Sequence, residues 1–348
     1  MQANTHESLK KVENLRLGLT VGDPCGIGTE IILKALAEPA IARAGVELII
    51  YGDRAHIETA YQQLLPRSPL PLADPQSLTI VDVHPQGGDP SFVYLERAIT
   101  DALAGAIAGI VTAPIAKVNW HRAGHYYPGQ TELLAERSGT KKVGMLFVAR
   151  SPHTGWQLRV LLATVHIPLA QVCQVLSPTL ITEKLDLLVA SLASDFGLTA
   201  GTIAIAGINP HSGEGGQLGR EEVDWLIPTL HRWQKAHPHW QVSDPIPPDA
   251  LWVKAAQAWQ DPLAVATAPT AYLAMYHDQG LIPVKMLGFA YAVNTTIGLP
   301  FVRTSPDHGT AFDIAGKGIA DPSSYIQAIQ LAIALVQQRQ RYSSLEKV

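Results

Sequence analysis

The sequence has little that would place the protein outside the cell, in a membrane or on nucleic acid. Among 348 residues there are two cysteines, Cys25 and Cys173, which form neither a CxxC pair nor a disulfide framework. No apolar run reaches the roughly 18 residues that a membrane helix needs. The polar start MQANTHESLKKVEN has the pattern of neither a signal peptide nor an anchor. The expected location is therefore the cytoplasm.

Charged residues are also scarce. They make up 16% of the chain, whereas hydrophobic residues make up 47%. Because this fraction is low for the surface of a soluble monomer, we expect part of the surface to be covered by a second copy of the chain. The net charge of −4 with no basic cluster argues against nucleic-acid and membrane partners. The composition predicts a homodimer that acts on small molecules.

Runs rich in β-branched residues alternate with helical stretches along most of the chain. The predicted strands are VELIIYG, LTIVDV, GIVTA, KVGMLFVA, LRVLLATV and TIAIAGI. The predicted helices include SFVYLERAITDALAGAI, LITEKLDLLVASLASDF and a last helix that begins at Pro322 and packs on a sheet. This alternation is typical of an α/β fold, and the length favours two domains.

A glycine-rich turn, GDPCGIGTE, follows the first apolar run, LRLGLTV. Its glycines, Gly22, Gly26 and Gly28, lack the Gly-x-Gly-x-x-Gly spacing of a dinucleotide fingerprint. The pattern still predicts a strand, a tight turn and a helix whose amide groups point into the turn. From this stretch alone it is either an ordinary strand-to-helix connection or part of a ligand site.

Three histidines lie where an apolar strand ends, which is where open α/β sheets bind their ligands. They are His166 in LLATVHIPL, His211 in GINPHSGEGG and His277 in AYLAMYHDQG. Each alone could be a structural histidine, but three in the same setting favour a metal site. Three imidazoles with an open position suit zinc, with magnesium or cobalt as alternatives.

A second group of polar residues lies beside apolar segments near the end of the chain. It contains Lys285, Asn294 and Arg303. Two cations and an amide donor can clamp a phosphate or a carboxylate, because arginine makes bidentate contacts and lysine supplies a point charge. The alternative is that the cations are solvated surface residues.

The motifs together resemble one family, the 4-hydroxythreonine-4-phosphate dehydrogenases of vitamin B6 biosynthesis, over nearly the whole chain. The motifs that carry the resemblance are VTAPIAK, PGQTELLAERSG, GINPHSGEGG, MYHDQGLIPVK and NTTIGLPFVRTSPDHGTAFDIAGKG. The resemblance implies the α/β fold of isocitrate and isopropylmalate dehydrogenases, with two three-layer αβα domains and largely parallel sheets. It implies a cofactor domain over 15–128 plus 306–342, a metal, substrate and dimerisation domain over 129–305, and an active site in the cleft between them.

The resemblance also implies roles for single residues. The metal ligands would be His166, His211 and His277, with His277 reaching the metal from the neighbouring chain, so that active sites are shared between subunits. The substrate-binding residues would be Gln130, Thr131, Lys285, Asn294 and Arg303. The cofactor-binding residues would be His308, Gly309, Thr310, Ala311 and Asp313. The candidates for orienting ligands or moving a proton are Lys117, Asp249 and Asp278.

Three features of these motifs bear on the expected chemistry and structure. A carboxylate at Asp313 would accept from the ribose hydroxyls and repel a 2′-phosphate, which favours NAD over NADP. Gln130 stands where the best-known members have a histidine, in GHTE, and an amide cannot titrate near neutral pH. Phe312 and Asp321 replace the proline and asparagine of relatives, and Asp321 is expected to cap the last helix.

The implied reaction is the NAD-dependent and metal-dependent oxidation of 4-phosphooxy-L-threonine to 2-amino-3-oxo-4-phosphooxybutanoate, which decarboxylates to 3-amino-2-oxopropyl phosphate. Relatives of the family also oxidise dihydrodiol dicarboxylates and sugar-acid phosphates. A metal-dependent hydrolase would use three histidines but would not need DHGTAFDIAGKG. A phosphate acyltransferase should lack the three histidines, and a non-catalytic phosphometabolite-binding protein would not need a redox-cofactor loop.

Overall fold

The structure is a computed structural model that describes residues 15–345, so the segment MQANTHESLKKVEN lies outside the described residues. The strands are β1 (Arg16–Thr20), β2 (Glu47–Gly52), β3 (Thr79–Asp82), β4 (Gly109–Thr112), β5 (Gly144–Arg150), β6 (Gln157–Leu162), β7 (Gly201–Ile205), β8 (Trp240–Val242), β9 (Ala271–Ala274), β10 (Ala292–Ile297) and β11 (Val302–Pro306). They form one sheet in the order β3-β2-β1-β4-β11-β10-β5-β6-β9-β7-β8.

The helices lie between the strands along the chain. They are α1 (Gly28–Leu36), α2 (Pro39–Ala42), α3 (Arg54–Leu64), α4 (Pro90–Leu103), α5 (Lys117–Arg122), α6 (Gln130–Arg137), α7 (Leu169–Val175), α8 (Pro178–Phe196), α9 (Ile227–Ala236), α10 (Val253–Gln260), α11 (His277–Gly288) and α12 (Ser323–Leu345). Shorter 3₁₀ turns span Pro75–Ser77, Pro210–Gly216, Pro262–Thr267 and Phe289–Tyr291, and a π-helical turn spans Glu222–Leu226. No helix within 15–345 is long and apolar enough to cross a membrane.

The sheet contains two parallel blocks that run in opposite directions. The first block is β3, β2, β1, β4 and β11, and the second is β6, β9, β7 and β8. Between the blocks, β10 pairs antiparallel with β11 and β5, and β5 pairs antiparallel with β6. The predicted α/β fold with a largely parallel sheet is confirmed. The chain makes most of the first block, then the whole second block, and returns to the first with β11 and α12.

The helix ends follow local sequence signals. The α4 helix begins after Asp89, whose carboxylate accepts from the Phe92 amide at 3.2 Å. The α8 helix begins after Ser177 in the same way and ends at Gly197, which has a left-handed φ of 69°. The last helix begins one residue after the predicted Pro322, and Asp321 Oδ1 accepts from the Ser323 amide at 2.9 Å.

The apolar face predicted for the last helix is confirmed. Its buried side chains include Tyr325, Ile329, Ile333 and Val336. They pack on β11, β10 and β4, and α12 also packs on α8. The sequence pattern does not predict β10 and β11, AVNTTI and VRTSP, because these strands place polar side chains in the middle of the sheet.

The glycine-rich turn after β1 holds another loop rather than pointing all its amides at a ligand. The Ile27 amide donates to the Thr310 carbonyl at 3.0 Å. A Cβ at Gly26 would lie 2.9 Å from the same oxygen, and a Cβ at Gly28 would lie 2.0 Å from the Val21 carbonyl. The turn therefore needs its glycines for close approach to Thr310 and to β1.

A buried ion pair on α1 fixes the far end of the same loop, which spans 307–321 and which we call the cofactor loop. Lys34 Nζ lies 2.8 Å from Glu30 Oε1 and also donates to the carbonyls of Gly318 and Ala320 at 2.9 and 2.7 Å. Glu30 Oε1 in turn accepts from the Ala320 amide at 2.8 Å. Lys34 Nζ thus has three acceptors and Glu30 Oε1 has two donors, which offsets the cost of burying the pair, whereas Glu30 Oε2 has no hydrogen-bond partner.

Candidate active site

A cleft of about 460 Å³ lies between the two blocks of the sheet. It is bounded by the ends of β4 and β11, the first turn of α6, and side chains from β5, β10 and α11. Its polar lining residues are Thr112, Lys117, Gln130, Thr131, Glu132, His166, Lys285, Asn294, Arg303, Ser305, Asp307 and His308. All five residues predicted to bind the substrate are among them.

Arg303 is a buried cation without an acidic partner. Its side chain on β11 is 4% exposed, and its Nη1 and Nη2 donate to the hydroxyls of Thr296 and Thr112 at 3.0 and 2.9 Å. Burial lowers the pKa of Arg303 to about 10, although the charge of Glu132 opposes this shift. A buried guanidinium bonded only to hydroxyls requires an anion to balance its charge.

Several polar atoms on the cleft wall are buried and have no hydrogen-bond partner. They are Gln130 Oε1, Asn294 Oδ1, Arg303 Nε and His308 Nε2. Buried polar atoms are normally paired, so a group of unpaired ones in one cavity indicates a polar ligand. Thr131 Oγ1, which lies 3.5 Å from Thr296 Oγ1, is on the same wall.

Lys285 is already paired. Its Nζ lies 3.0 Å from Asp307 Oδ2 at the start of the cofactor loop. Burial raises the pKa of the Asp307 carboxyl, and the neighbouring Lys285 only partly opposes this rise. Lys285 therefore brings less free positive charge to the cleft than the sequence suggests.

Two of the three predicted metal ligands meet within one chain. The rings of His166 and His277 have centroids 5.6 Å apart. Two imidazoles on one tetrahedral ion, with nitrogens about 2 Å from the metal, would have centroids about 5 Å apart. Desolvation and the nearby charges of Lys117 and His277 lower the pKa of His166, which favours the neutral form that a metal needs. One chain therefore brings His166 and His277 together, which does not support the expectation that the two histidines of one site come from different chains.

The third predicted ligand, His211, lies elsewhere on the chain. Its side chain is 62% exposed and contacts Glu214 through Nδ1. Within residues 15–345 no three side chains of His, Cys, Asp or Glu form a metal-binding group. The chain by itself brings together only two of the histidines.

The loop that carries His211 has an unusual backbone. Residues 211–215 all have positive φ, including 50° at His211 and 44° at Glu214. The buried Glu222 holds the loop by accepting from the amides of Ile208 and Asn209, both at 2.8 Å. Left-handed non-glycine residues cost energy and persist where surrounding structure enforces them, often at functional sites.

The three residues predicted to orient ligands or to move a proton lie apart from one another. Lys117 lines the cleft at the start of α5. Asp278 Oδ1 lies 2.7 Å from His277 Nδ1, an arrangement that leaves His277 Nε2 free for a metal. Asp249 does not reach the cleft but lines a second cavity, and its charge contributes to the raised pKa of His211, whose main cause is the hydrogen bond to Glu214.

Of the predicted cofactor residues, only His308 and Gly309 line the cleft. Thr310 gives its carbonyl to the glycine-rich turn, and Ala311 has a left-handed φ of 45°. Asp313 is exposed beyond them. The loop thus runs from the cleft outward over the surface.

Sequence reasoning missed two acidic residues of the cleft, Glu132 and Asp307. Glu132 follows Thr131 in the first turn of α6, a position where acids commonly stabilise a helix, so its type gives no sign of a ligand role. Asp307 precedes His308 in a motif already assigned to the cofactor. The two carboxylates alter the charge of a cleft that otherwise contains only cationic and neutral side chains.

Comparison with solved structures defines the class. An isocitrate dehydrogenase from Methylococcus capsulatus shares the fold, with a TM-score of 0.51 and 16% identity over 96% of this chain and 89% of that chain. A 4-hydroxythreonine-4-phosphate dehydrogenase from Klebsiella pneumoniae is more similar, with a TM-score of 0.75 and 34% identity over 93% of this chain and all of that chain. The fold is therefore that of the isocitrate dehydrogenase-like enzymes.

Sequence comparison then gives the family. The 4-hydroxythreonine-4-phosphate dehydrogenase of Nostoc sp. strain PCC 7120 is 57% identical over 340 residues, which cover 93% of this chain and 94% of the relative. The family model described as pyridoxal phosphate biosynthetic protein PdxA matches residues 27–332, and the chain belongs to this family. The expected family and the expected enzyme class, an oxidoreductase, are confirmed, and a dehydrogenase of this family implies a nicotinamide cofactor.

Proposed function

We propose that the chain is an NAD-dependent, divalent-metal-dependent 4-hydroxythreonine-4-phosphate dehydrogenase. It oxidises 4-phosphooxy-L-threonine to 2-amino-3-oxo-4-phosphooxybutanoate, which loses carbon dioxide to give 3-amino-2-oxopropyl phosphate. The observation that carries this proposal is the buried Arg303, which has no acidic partner and lies among unpaired polar atoms in the cleft. The names of the relatives supply the substrate.

The phosphate binds at the Arg303 end of the cleft. The free Nε of Arg303 is a charge-assisted donor, and Asn294, Thr131 and Gln130 provide neutral groups on the same wall. Lys285 lines this cavity but shares its charge with Asp307. Arg303 therefore contributes most of the electrostatic attraction for the phosphate.

The cation binds between His166 and His277, with zinc the expected metal and magnesium or cobalt as alternatives. The ring separation of 5.6 Å fits two ligands of one ion, and Asp278 orients His277 through Nδ1. Bound there, the metal would lower the pKa of the substrate hydroxyl and of the enol formed on decarboxylation. Lys117, which lines the same cleft, would relay a proton to or from the substrate.

NAD binds along the cofactor loop, with its reactive end near His308 and Gly309 in the cleft. Asp313 on the exposed part of the loop accepts from the ribose hydroxyls and selects against NADP. NAD held there would supply the hydride acceptor for the oxidation. The proposed cofactor domain is 15–128 plus 306–342, the proposed substrate domain is 129–305, and the proposed location is the cytoplasm.

A second copy of the chain supplies His211 and completes the metal site. On α11, which begins at His277, Ile282 and Met286 are 57% and 81% exposed, and Phe289 in the 3₁₀ turn that follows is 61% exposed. An apolar cavity of about 420 Å³, lined by Trp252 among others, lies beside Ile282 and Met286. Exposed apolar patches of this kind mark association surfaces. Active sites in the homodimer are therefore shared, with His211 rather than His277 from the partner.

The test is a substrate panel with NAD, with and without added zinc. NADH absorbance should rise with 4-phosphooxy-L-threonine, only when metal is present, and chelation should stop turnover reversibly. A metal-dependent rise with a dihydrodiol dicarboxylate or a sugar-acid phosphate alone would replace the substrate assignment. Full activity after complete chelation would contradict the metal.

A further inference from the structure

The Glu132 carboxylate is free in the cleft. No hydrogen bond or ion pair involves its side chain among residues 15–345, although it is partly buried beside Gln130 and Thr131. The other acidic residue on the cleft wall, Asp307, is neutralised by Lys285 at 3.0 Å. Among residues 15–345, Glu132 is therefore the one carboxylate of the cleft wall without an ion-pair partner.

Glu132 lies between the two ends of the proposed site. Its charge acts on Arg303 at the phosphate end and on His166 at the metal end, where it opposes the desolvation that lowers both pKa values. A Cβ at Gly129 would lie 3.1 Å from Glu132 Oε2, so the missing side chain leaves the carboxylate open at the first turn of α6. A ligand that spans the cleft can therefore reach the Glu132 carboxylate.

A carboxylate here is unfavourable for a purely anionic ligand. The proposed substrate carries a phosphate and a carboxylate, which Glu132 would repel, and also an ammonium on the carbon next to the oxidised one. When the phosphate lies at Arg303 and the hydroxyl at His166, the ammonium is the only cationic group of the substrate near this wall. An ammonium group donates a charge-assisted hydrogen bond to a carboxylate.

We infer that Glu132 binds the substrate ammonium and makes the enzyme selective for 2-amino substrates over phosphorylated hydroxy acids without nitrogen. This inference rests on the proposed function and adds a specificity-determining contact to it. The competing explanation is that Glu132 only stabilises the N-terminus of α6, an effect that would act on all substrates equally.

The experiment compares Glu132→Gln with the wild type on two compounds, 4-phosphooxy-L-threonine and its deamino analogue, 3-hydroxy-4-phosphooxybutanoate. Loss of one charge-assisted bond should raise KM for the amino substrate about 10-fold or more, since such bonds are worth about 1.5 to 3 kcal/mol. KM for the deamino analogue should stay the same or fall. Glu132→Asp, which keeps the charge on a shorter arm, should retain part of the selectivity.

The matched control is Glu136→Gln, one turn further along α6. Glu136 is more exposed and already accepts from Tyr127 and Arg137, so its replacement should leave both KM values unchanged. An equal rise in KM for both compounds in Glu132→Gln, or no rise in KM for either compound, would overturn the inference. If Glu132→Gln does not fold, unchanged selectivity in Glu132→Asp and in a Glu132→Ala chain would overturn it as well.

Calorimetric binding of the same two compounds, without NAD, separates this inference from the proposed function. If the wild type binds both compounds but oxidises neither, the proposed reaction fails, while preferential binding of the amino compound that Glu132→Gln abolishes would still support the ammonium contact. If the wild type oxidises 4-phosphooxy-L-threonine and Glu132→Gln binds the two compounds with unchanged preference, the proposed function stands and the contact is rejected.

Discussion

Replacing Arg303 by methionine should separate substrate binding from stability. Methionine has a similar length but removes the buried charge. Burial lowers the pKa of Arg303 to about 10, which corresponds to a cost of about 3 kcal/mol for the charged form. The bonds to Thr112 and Thr296 return about 1 kcal/mol each. The two effects nearly cancel, so the unfolding midpoint of the ligand-free variant should stay within a few degrees of the wild type.

Binding should respond much more strongly than stability. Losing at least one charge-assisted bond to the phosphate should weaken substrate binding about 10-fold to 150-fold in titration calorimetry. NAD binding should change less than about twofold. Inorganic phosphate should raise the thermal midpoint of the wild type but not of Arg303→Met, because a ligand stabilises only the protein that binds it.

The chain contains a matched control for this variant. Arg159 is half-buried, also has an unpartnered Nε and also has its pKa lowered to about 10 by burial, but it packs over Phe196 away from the cleft. Arg159→Met should leave substrate binding unchanged. Equal loss of substrate and NAD binding in Arg303→Met, or equal loss of substrate binding in both variants, would refute the placement of the phosphate.

Three further predictions test other parts of the site. Mixed His211→Ala and His277→Ala chains should regain up to about a quarter of wild-type activity, because each heterodimer keeps one intact site. Mixed His166→Ala and His277→Ala chains should not regain activity, because His166 and His277 of a site come from the same chain and both sites of the heterodimer then carry a lesion. Recovery in the second mixture after proven subunit exchange would contradict the arrangement. The raised pKa of Asp307 contributes stability at acidic pH that is lost as pH rises through that pKa, and Asp307→Asn should remove this contribution. The urea midpoint of the variant relative to the wild type should therefore improve from pH 4 to pH 7. No change in this difference would contradict the raised pKa of Asp307. Gly26→Ala should raise KM for NAD more than KM for substrate, because a Cβ would press on the Thr310 carbonyl; equal changes in both would argue against that coupling.

The parts of the site that the sequence predicts are those with a distinctive residue type at a strand end. His166 and His277 are found in this way, and the structure places them side by side. The position of His211 could not be found, because it depends on a left-handed backbone and on Glu222, which lies eleven residues further along the chain. Local patterns do not encode such a loop.

The strands also differ in whether the sequence predicts them. Strands with continuous apolar runs, such as GIVTA, are predicted, whereas β10 and β11 are not, because Asn294 and Arg303 interrupt their apolar patterns. Arg303 is buried and Asn294 is half-buried, and both line the cleft. The residues that interrupt the apolar patterns of these two strands are thus the residues that are proposed to bind the substrate.

The return of the chain to the first block governs the order in which the protein can fold during synthesis. The strands β1 to β4 are complete at Thr112, but the neighbour of β4 on its other side begins only at Val302. Lys34 likewise finds its carbonyl partners only at Gly318 and Ala320. Until the ribosome has made these residues, the edge of β4 has no neighbouring strand and Lys34 lacks its two carbonyl acceptors. The nascent chain should therefore complete its second block first and should depend on chaperones until α12 has emerged.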